Sequence, residues 1–69
     1  MANSVYKIIE LVGTSPESFA KAAAAAVEKA SKSLRDLRIA EVSQLDMQIR
    51  DGKVELYRAK VKISFKFED

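Results

Sequence analysis

The sequence predicts an α+β fold, a βαββ unit whose three-stranded antiparallel sheet, in order 1-3-2, partly wraps one helix. Three observations predict it. Residues 5 to 12 are rich in β-branched and aromatic residues and stop at Gly13. An apolar stripe at spacings of three and four follows, from Phe19 to Leu34. A long alternating stretch is then divided by Asp51-Gly52, the residue pair of a two-residue hairpin loop.

The first strand is expected over residues 4–12. After it, Thr14, Ser15, Pro16 and Glu17 signal a helix start. Ser15 as N-cap puts Pro16 at the first helical position, where its missing N–H is not needed. Thr14 with Glu17 offers a competing capping box. The helix is expected over residues 16–34, with Phe19, Ala23, Ala26, Val27, Ala30 and Leu34 on one face. Most of that stripe is alanine, so the helix is expected to lie close to the sheet while burying little area per residue.

The hairpin strands are expected over residues 37–50 and 53–67. Counting outward from the turn pairs Arg50 with Lys53. One face then holds Ala40, Val42, Gln44 and Asp46 opposite Ile63, Val61, Ala59 and Tyr57. The other holds Ile39, Glu41, Ser43, Leu45, Met47 and Ile49 opposite Ser64, Lys62, Lys60, Arg58, Leu56 and Val54; a bulge would flip part of this assignment. In this register the apolar residues change face along the hairpin. Each strand spans about 45 Å and the helix about 28 Å. One helix cannot cover such a hairpin, so its distal apolar half is expected to pack against other copies.

Size sharpens that expectation. A chain of 69 residues and 7.7 kDa forms one domain, and area scaling gives a compact fold of this mass about 4,300 Å² of surface. Chains this small often add disulfides, a metal or association. With no Cys and no His, disulfides and thiolate- or imidazole-bound zinc are excluded. Association remains, with carboxylate-bound ions as a minor possibility.

The chain resembles the dodecins in three segments. Val5-Tyr6-Lys7-Ile8-Ile9-Glu10-Leu11-Val12-Gly13-Thr14-Ser15-Pro16 is similar to the family's opening strand and helix start. Ser33-Leu34-Arg35-Asp36-Leu37-Arg38-Ile39-Ala40-Glu41-Val42 is similar to its helix exit and second strand, and Tyr57 to Glu68 to its last strand. The resemblance implies a hollow homododecamer that sequesters a flavin, riboflavin or FMN, with coenzyme A as a further ligand in some members. It places the family's flavin-stacking Trp position at Ile39 and its Gln position at Arg58, with Leu45 as a further contact. Ile39 offers no π-face, and Arg58 donates but cannot accept, so flavin binding is expected to be weak. The resemblance is nearest to the calcium dodecins. Calcium takes six to eight oxygen ligands, for which Glu41, Asp46 and Asp51 are candidates.

Other chemistry has less to stand on. No nucleophile–base motif is present, and the protein is expected not to be an enzyme. Glu41 faces Lys62 as an ordinary cross-strand ion pair. The helix start is a cap before it is an anion site. Arg58, Lys60, Lys62 and Lys66 form a basic stripe that could attract phosphates, yet a net charge of +2 is slight for nucleic acid. No apolar stretch reaches membrane length, and Met1 to Ser4 lacks signal-peptide character. The expected partners are copies of itself and a small molecule, without nucleic acid or membrane, in the cytoplasm.

Overall fold

A computed structural model of the protein describes residues 3–67; Met1, Ala2 and Glu68, which enter the expectations above, lie outside the described residues. Four elements follow in order: β1 (Tyr6–Ser15), α1 (Phe19–Ser31), β2 (Leu37–Arg50) and β3 (Lys53–Lys66). The sheet is antiparallel with β3 between β1 and β2, the expected 1-3-2 order.

β1 runs further than expected, because Gly13, Thr14 and Ser15 continue the ladder opposite Ala59, Arg58 and Tyr57. With Thr14 and Ser15 in the strand, the cap falls to Ser18. Its extended backbone and its Oγ, which accepts from Lys21 N–H at 3.0 Å, start the helix at Phe19 rather than Pro16. Ser15 Oγ accepts from Glu17 N–H at 3.0 Å and turns the chain between the two elements. The helix closes at Ser31, not Leu34. Asp36, at φ 58°, then redirects the chain into β2.

The helix face is rotated slightly from the expected stripe. Ala22, Ala26 and Ala30 are buried, while Ala23 and Val27 pack at the margin. The approach is close enough that a Cβ on Gly13 would stand 1.9 Å from the carbonyl oxygen of Ala22. Opposite them lie Ala59, Val61 and Ile63 of β3, also buried. Among the described residues only Val61 and Ile63 are large and fully enclosed, each contributing roughly 1.5–3 kcal/mol by burial. Phe19 meets Tyr57 edge-on, with ring centroids 5.0 Å apart, and fixes the first helical turn on the sheet.

The hairpin register departs from the simple count in its middle. Arg50↔Lys53 and Ile49↔Val54 pair as expected, and so do Val42↔Val61, Glu41↔Lys62, Ala40↔Ile63 and Ile39↔Ser64. Between these blocks Gln44 to Gln48 pair one residue out of step, with Lys60 to Leu56. The extra residues are Glu55 on β3 and Ser43 on β2, and each bulge cancels the other. Arg38 is a third, between Leu37↔Phe65 and Ile39↔Ser64.

The bulges correct the expected change of face. Leu45 and Met47 stand opposite Ala59 and Tyr57, on the helix side, so the apolar face continues along β2 from Ala40 and Val42 to Ile49. The helix, about 20 Å long by its 13 residues, covers only the proximal part. Beyond it Leu45, Met47, Ile49 and Val54 are 51, 47, 66 and 45% exposed. The chain measures 55 × 20 × 14 Å, with a radius of gyration of 14.3 Å against about 11 Å for a compact domain of this length. Its surface of 5424 Å² likewise exceeds the area expected of a compact monomer.

Candidate functional site

The sheet face turned away from the helix carries most of the expected site residues. On β3 it presents Arg58, Lys60, Lys62 and Ser64. β1 adds Thr14, Val12, Glu10 and Ile8, and β2 adds Asp46, Gln44, Glu41 and Ile39, each opposite the β3 residue in that order. The centre is a basic stripe, and carboxylates flank it unevenly. Lys62 lies between Glu10 and Glu41, and Arg58 between Thr14 and Asp46. Lys60 lies between Val12 and Gln44, with no carboxylate directly opposite.

Arg58 and Asp46 form a two-pronged ion pair. Nε donates to Oδ1 at 2.6 Å, and the second terminal nitrogen donates to Oδ2 at 3.1 Å. The Arg58 hydrogen bond, reinforced by the charges of Arg58 and Lys60, holds the Asp46 carboxyl below its ordinary value. The same hydrogen bond, then the carboxylate charge, raises Arg58 further above its own. Both side chains remain open to solvent, at 44 and 47% exposure.

Ile39 is 66% exposed and stands opposite Ser64, whose Oγ donates to the Ile39 carbonyl oxygen at 3.4 Å. On the other side of Ser64 is Ile8, 62% exposed. The two isoleucines make an apolar pad without an aromatic ring. Ile39 and Arg58 share this face, but their rows are six residues apart along β3, about 20 Å. One flavin ring cannot touch both side chains within one protomer. Leu45 does not join them: the Ser43 bulge turns it to the helix side, opposite Ala59.

Glu41 and Asp46 do share the open face, because the same bulge converts their odd spacing into a common side. They are interleaved with cations, and both Asp46 oxygens are engaged by Arg58. Asp51 sits apart in the hairpin turn, at φ 51° followed by Gly52 at φ 76°, the pattern of a type I′ turn. Among the described residues no three acidic side chains converge as a metal cluster. No helix of the described residues is long and apolar enough to cross a membrane.

A separate groove of about 270 Å³ lies at the proximal end of the sheet, lined by Lys7, Arg35, Phe65, Lys66 and Phe67. Its three cations and two aromatic rings could meet a phosphate attached to an apolar or aromatic body. Sequence reasoning passed over it because Lys7 and Arg35 are distant in the chain from Lys66.

A family model, Dodecin, matches residues 5–68. The chain belongs to the dodecin family. A calcium dodecin from Mycobacterium tuberculosis is 46% identical over 63 residues, which make up 91% of this chain and 89% of that protein. The structure of dodecin from Streptomyces coelicolor superposes with a TM-score of 0.94 at 40% identity, over 100% of this chain and 99% of that one. The crystal structure of the M. tuberculosis calcium dodecin, described as a calcium-chelating immunodominant antigen with a novel calcium-binding site, superposes at 0.83. It is 47% identical, with 94% of this chain and 93% of that chain covered. Against this dodecin background the chain has no Trp at any position.

Proposed function

We propose that the protein assembles into a hollow homododecameric dodecin shell that sequesters a small ligand and carries out no reaction of its own. The observation that carries the assembly is the uncovered distal half of the apolar face. Leu45, Met47, Ile49 and Val54 lie beyond the helix on a chain too elongated to bury them itself. Association with other copies is the chief stabilising device open to a thin, alanine-rich core without Cys or His.

The ligand of the first reading is a flavin, riboflavin or FMN, held on the open sheet face. The Ile8–Ile39 pad would take the apolar body of the ring, and Arg58 of another copy would donate to its carbonyl edge. Binding is weak on this reading, since stacking worth about 0.5–1.5 kcal/mol beyond burial is missing at Ile39. Titration of riboflavin and FMN with fluorescence readout tests it. Shallow quenching by the assembled protein supports the reading, and no quenching at any concentration removes it. Coenzyme A, with its phosphates, would suit the groove of Lys7, Arg35 and Lys66.

A second reading is favoured by the similarity to calcium dodecin and by two carboxylates, Glu41 and Asp46, on one face. Calcium takes six to eight oxygens, more than one protomer brings together, so the site would draw carboxylates from several copies. Calorimetry with calcium chloride, before and after chelator treatment, distinguishes the two readings. Heat of binding that a chelator reverses supports this one.

A further inference from the structure

The paired bulges have one chemical result: they bring a carboxylate to the ligand face. Without the extra residues at Ser43 and Glu55, Asp46 would stand opposite Tyr57 on the helix side. With them it meets Arg58 and occupies the Nε–Nη2 edge of the guanidinium, at 2.6 and 3.1 Å. Glu55 is itself held in place, accepting from Gln48 Nε2 at 3.1 Å and lying 3.6 Å from the Arg50 guanidinium. A bulge anchored by side-chain contacts is a fixed part of the strand.

We propose that Asp46 sets the charge selectivity of the open face, holding Arg58 so that the face takes an uncharged ligand in preference to its phosphorylated form. The proposal rests on the reading of this face as the flavin site. A phosphate is bound best by a guanidinium that offers two parallel N–H donors. In this protein the Nε–Nη2 edge is taken by an intramolecular carboxylate, so a phosphate reaching the remaining Nη1–Nη2 edge meets a guanidinium whose charge is already paired. Asp46, in place beside it, would also repel the dianion. Lys62 offers no easy substitute, because Glu10 and Glu41 lie on either side of it, and Lys60, two residues from Arg58 on the same face, has its charge drawn on by Asp46. An uncharged ligand meets neither penalty, since a carbonyl oxygen can accept from the donors of Arg58 that point away from Asp46 without bringing a net charge beside the carboxylate. Riboflavin and FMN differ by the phosphate alone and are the natural pair of probes.

The test compares riboflavin and FMN affinities for the assembled wild type, Asp46→Asn, Asp46→Glu and the double variant Asp46→Asn/Arg58→Gln. Light scattering verifies assembly, and Asp46→Ser replaces the Asn variant if that variant does not assemble. Asp46→Asn should raise FMN affinity relative to riboflavin by about threefold to tenfold. Asp46→Glu should leave the ratio near wild type, and Arg58→Gln should cancel the gain. An unchanged ratio in Asp46→Asn, or a gain that survives loss of Arg58, overturns the proposal. If neither flavin binds any variant, the flavin reading fails, and inorganic pyrophosphate decides the selectivity by calorimetry. Tighter pyrophosphate binding by Asp46→Asn than by wild type supports it, and equal binding overturns it.

Discussion

Arg58 and Asp46 grip each other across β3 and β2, although a plain count from the Asp51-Gly52 turn puts them on opposite faces of the sheet. Two compensating bulges account for the contact. They leave both ends of the hairpin paired as the turn sets and offset by one residue only the pairing between them, while β2 from Gln44 onward turns over. The same rotation keeps Leu45, Met47 and Ile49 in line with Ala40 and Val42. One local device thus serves both faces: it joins the apolar side into a continuous strip and places a carboxylate on the open side.

The ion pair predicts a pH dependence with a definite sign. Asp46 is held below its ordinary value of 3.8, chiefly by the Arg58 hydrogen bond. A carboxyl lowered by folding contributes stability above its unfolded value and loses that contribution as pH falls through the folded one. Thermal unfolding of wild type and Asp46→Asn should therefore differ most near neutral pH and converge in acid, with the loss centred below 3.8. A difference that persists unchanged to about pH 2 contradicts the assignment.

Gly13 predicts a loss of stability from a very small change. Adding one methyl group places a carbon 1.9 Å from the Ala22 carbonyl oxygen, a backbone atom that no side-chain rotation can move. Gly13→Ala should cost about 3 kcal/mol, the upper part of the range for overpacking. A shift in the denaturant midpoint measures it. A variant as stable as wild type shows that the helix can lift off β1 without cost.

The sequence made these relationships legible to different degrees. Element order was readable because strand, apolar stripe and turn signals are local. The helix start was misplaced by three residues because Ser15 and Ser18 are both plausible caps. The ladder decides between them by extending β1 to Ser15. The Ser43 bulge left a trace that admitted two interpretations. Ala40 and Val42, which face the helix, fall on even positions, whereas Leu45, Met47 and Ile49 fall on odd ones. Such a jump means either a strand that changes its buried face or an extra residue that keeps it, and pattern alone does not choose. The compensating residue at Glu55 left a weaker trace, and the Arg58–Asp46 pair followed from both.

At the candidate flavin site, Ile39→Trp supplies the missing ring. Stacking of about 0.5–1.5 kcal/mol corresponds to roughly a twofold to tenfold gain in riboflavin affinity. Fluorescence titration of the variant beside wild type reads it directly. No gain would mean that the Ile8–Ile39 pad is not where the ring rests.

The distal apolar strip predicts where assembly fails. Ile49 is 66% exposed in the single chain and lies far beyond the reach of α1. Ile49→Lys should disturb a monomer little but place a charge in the contact between copies. Sedimentation velocity should show smaller species for this variant, while its circular dichroism keeps the α+β signature. Assembly identical to wild type would mean that the contact lies elsewhere on the chain.

In the proposed assembly this thin, elongated unit is completed only by other copies of itself. The most direct test is the absolute mass of the wild-type protein by size-exclusion chromatography with light scattering. Twelve chains of 7.7 kDa predict about 92 kDa in one symmetric peak. A single species near the mass of one chain would contradict the claim.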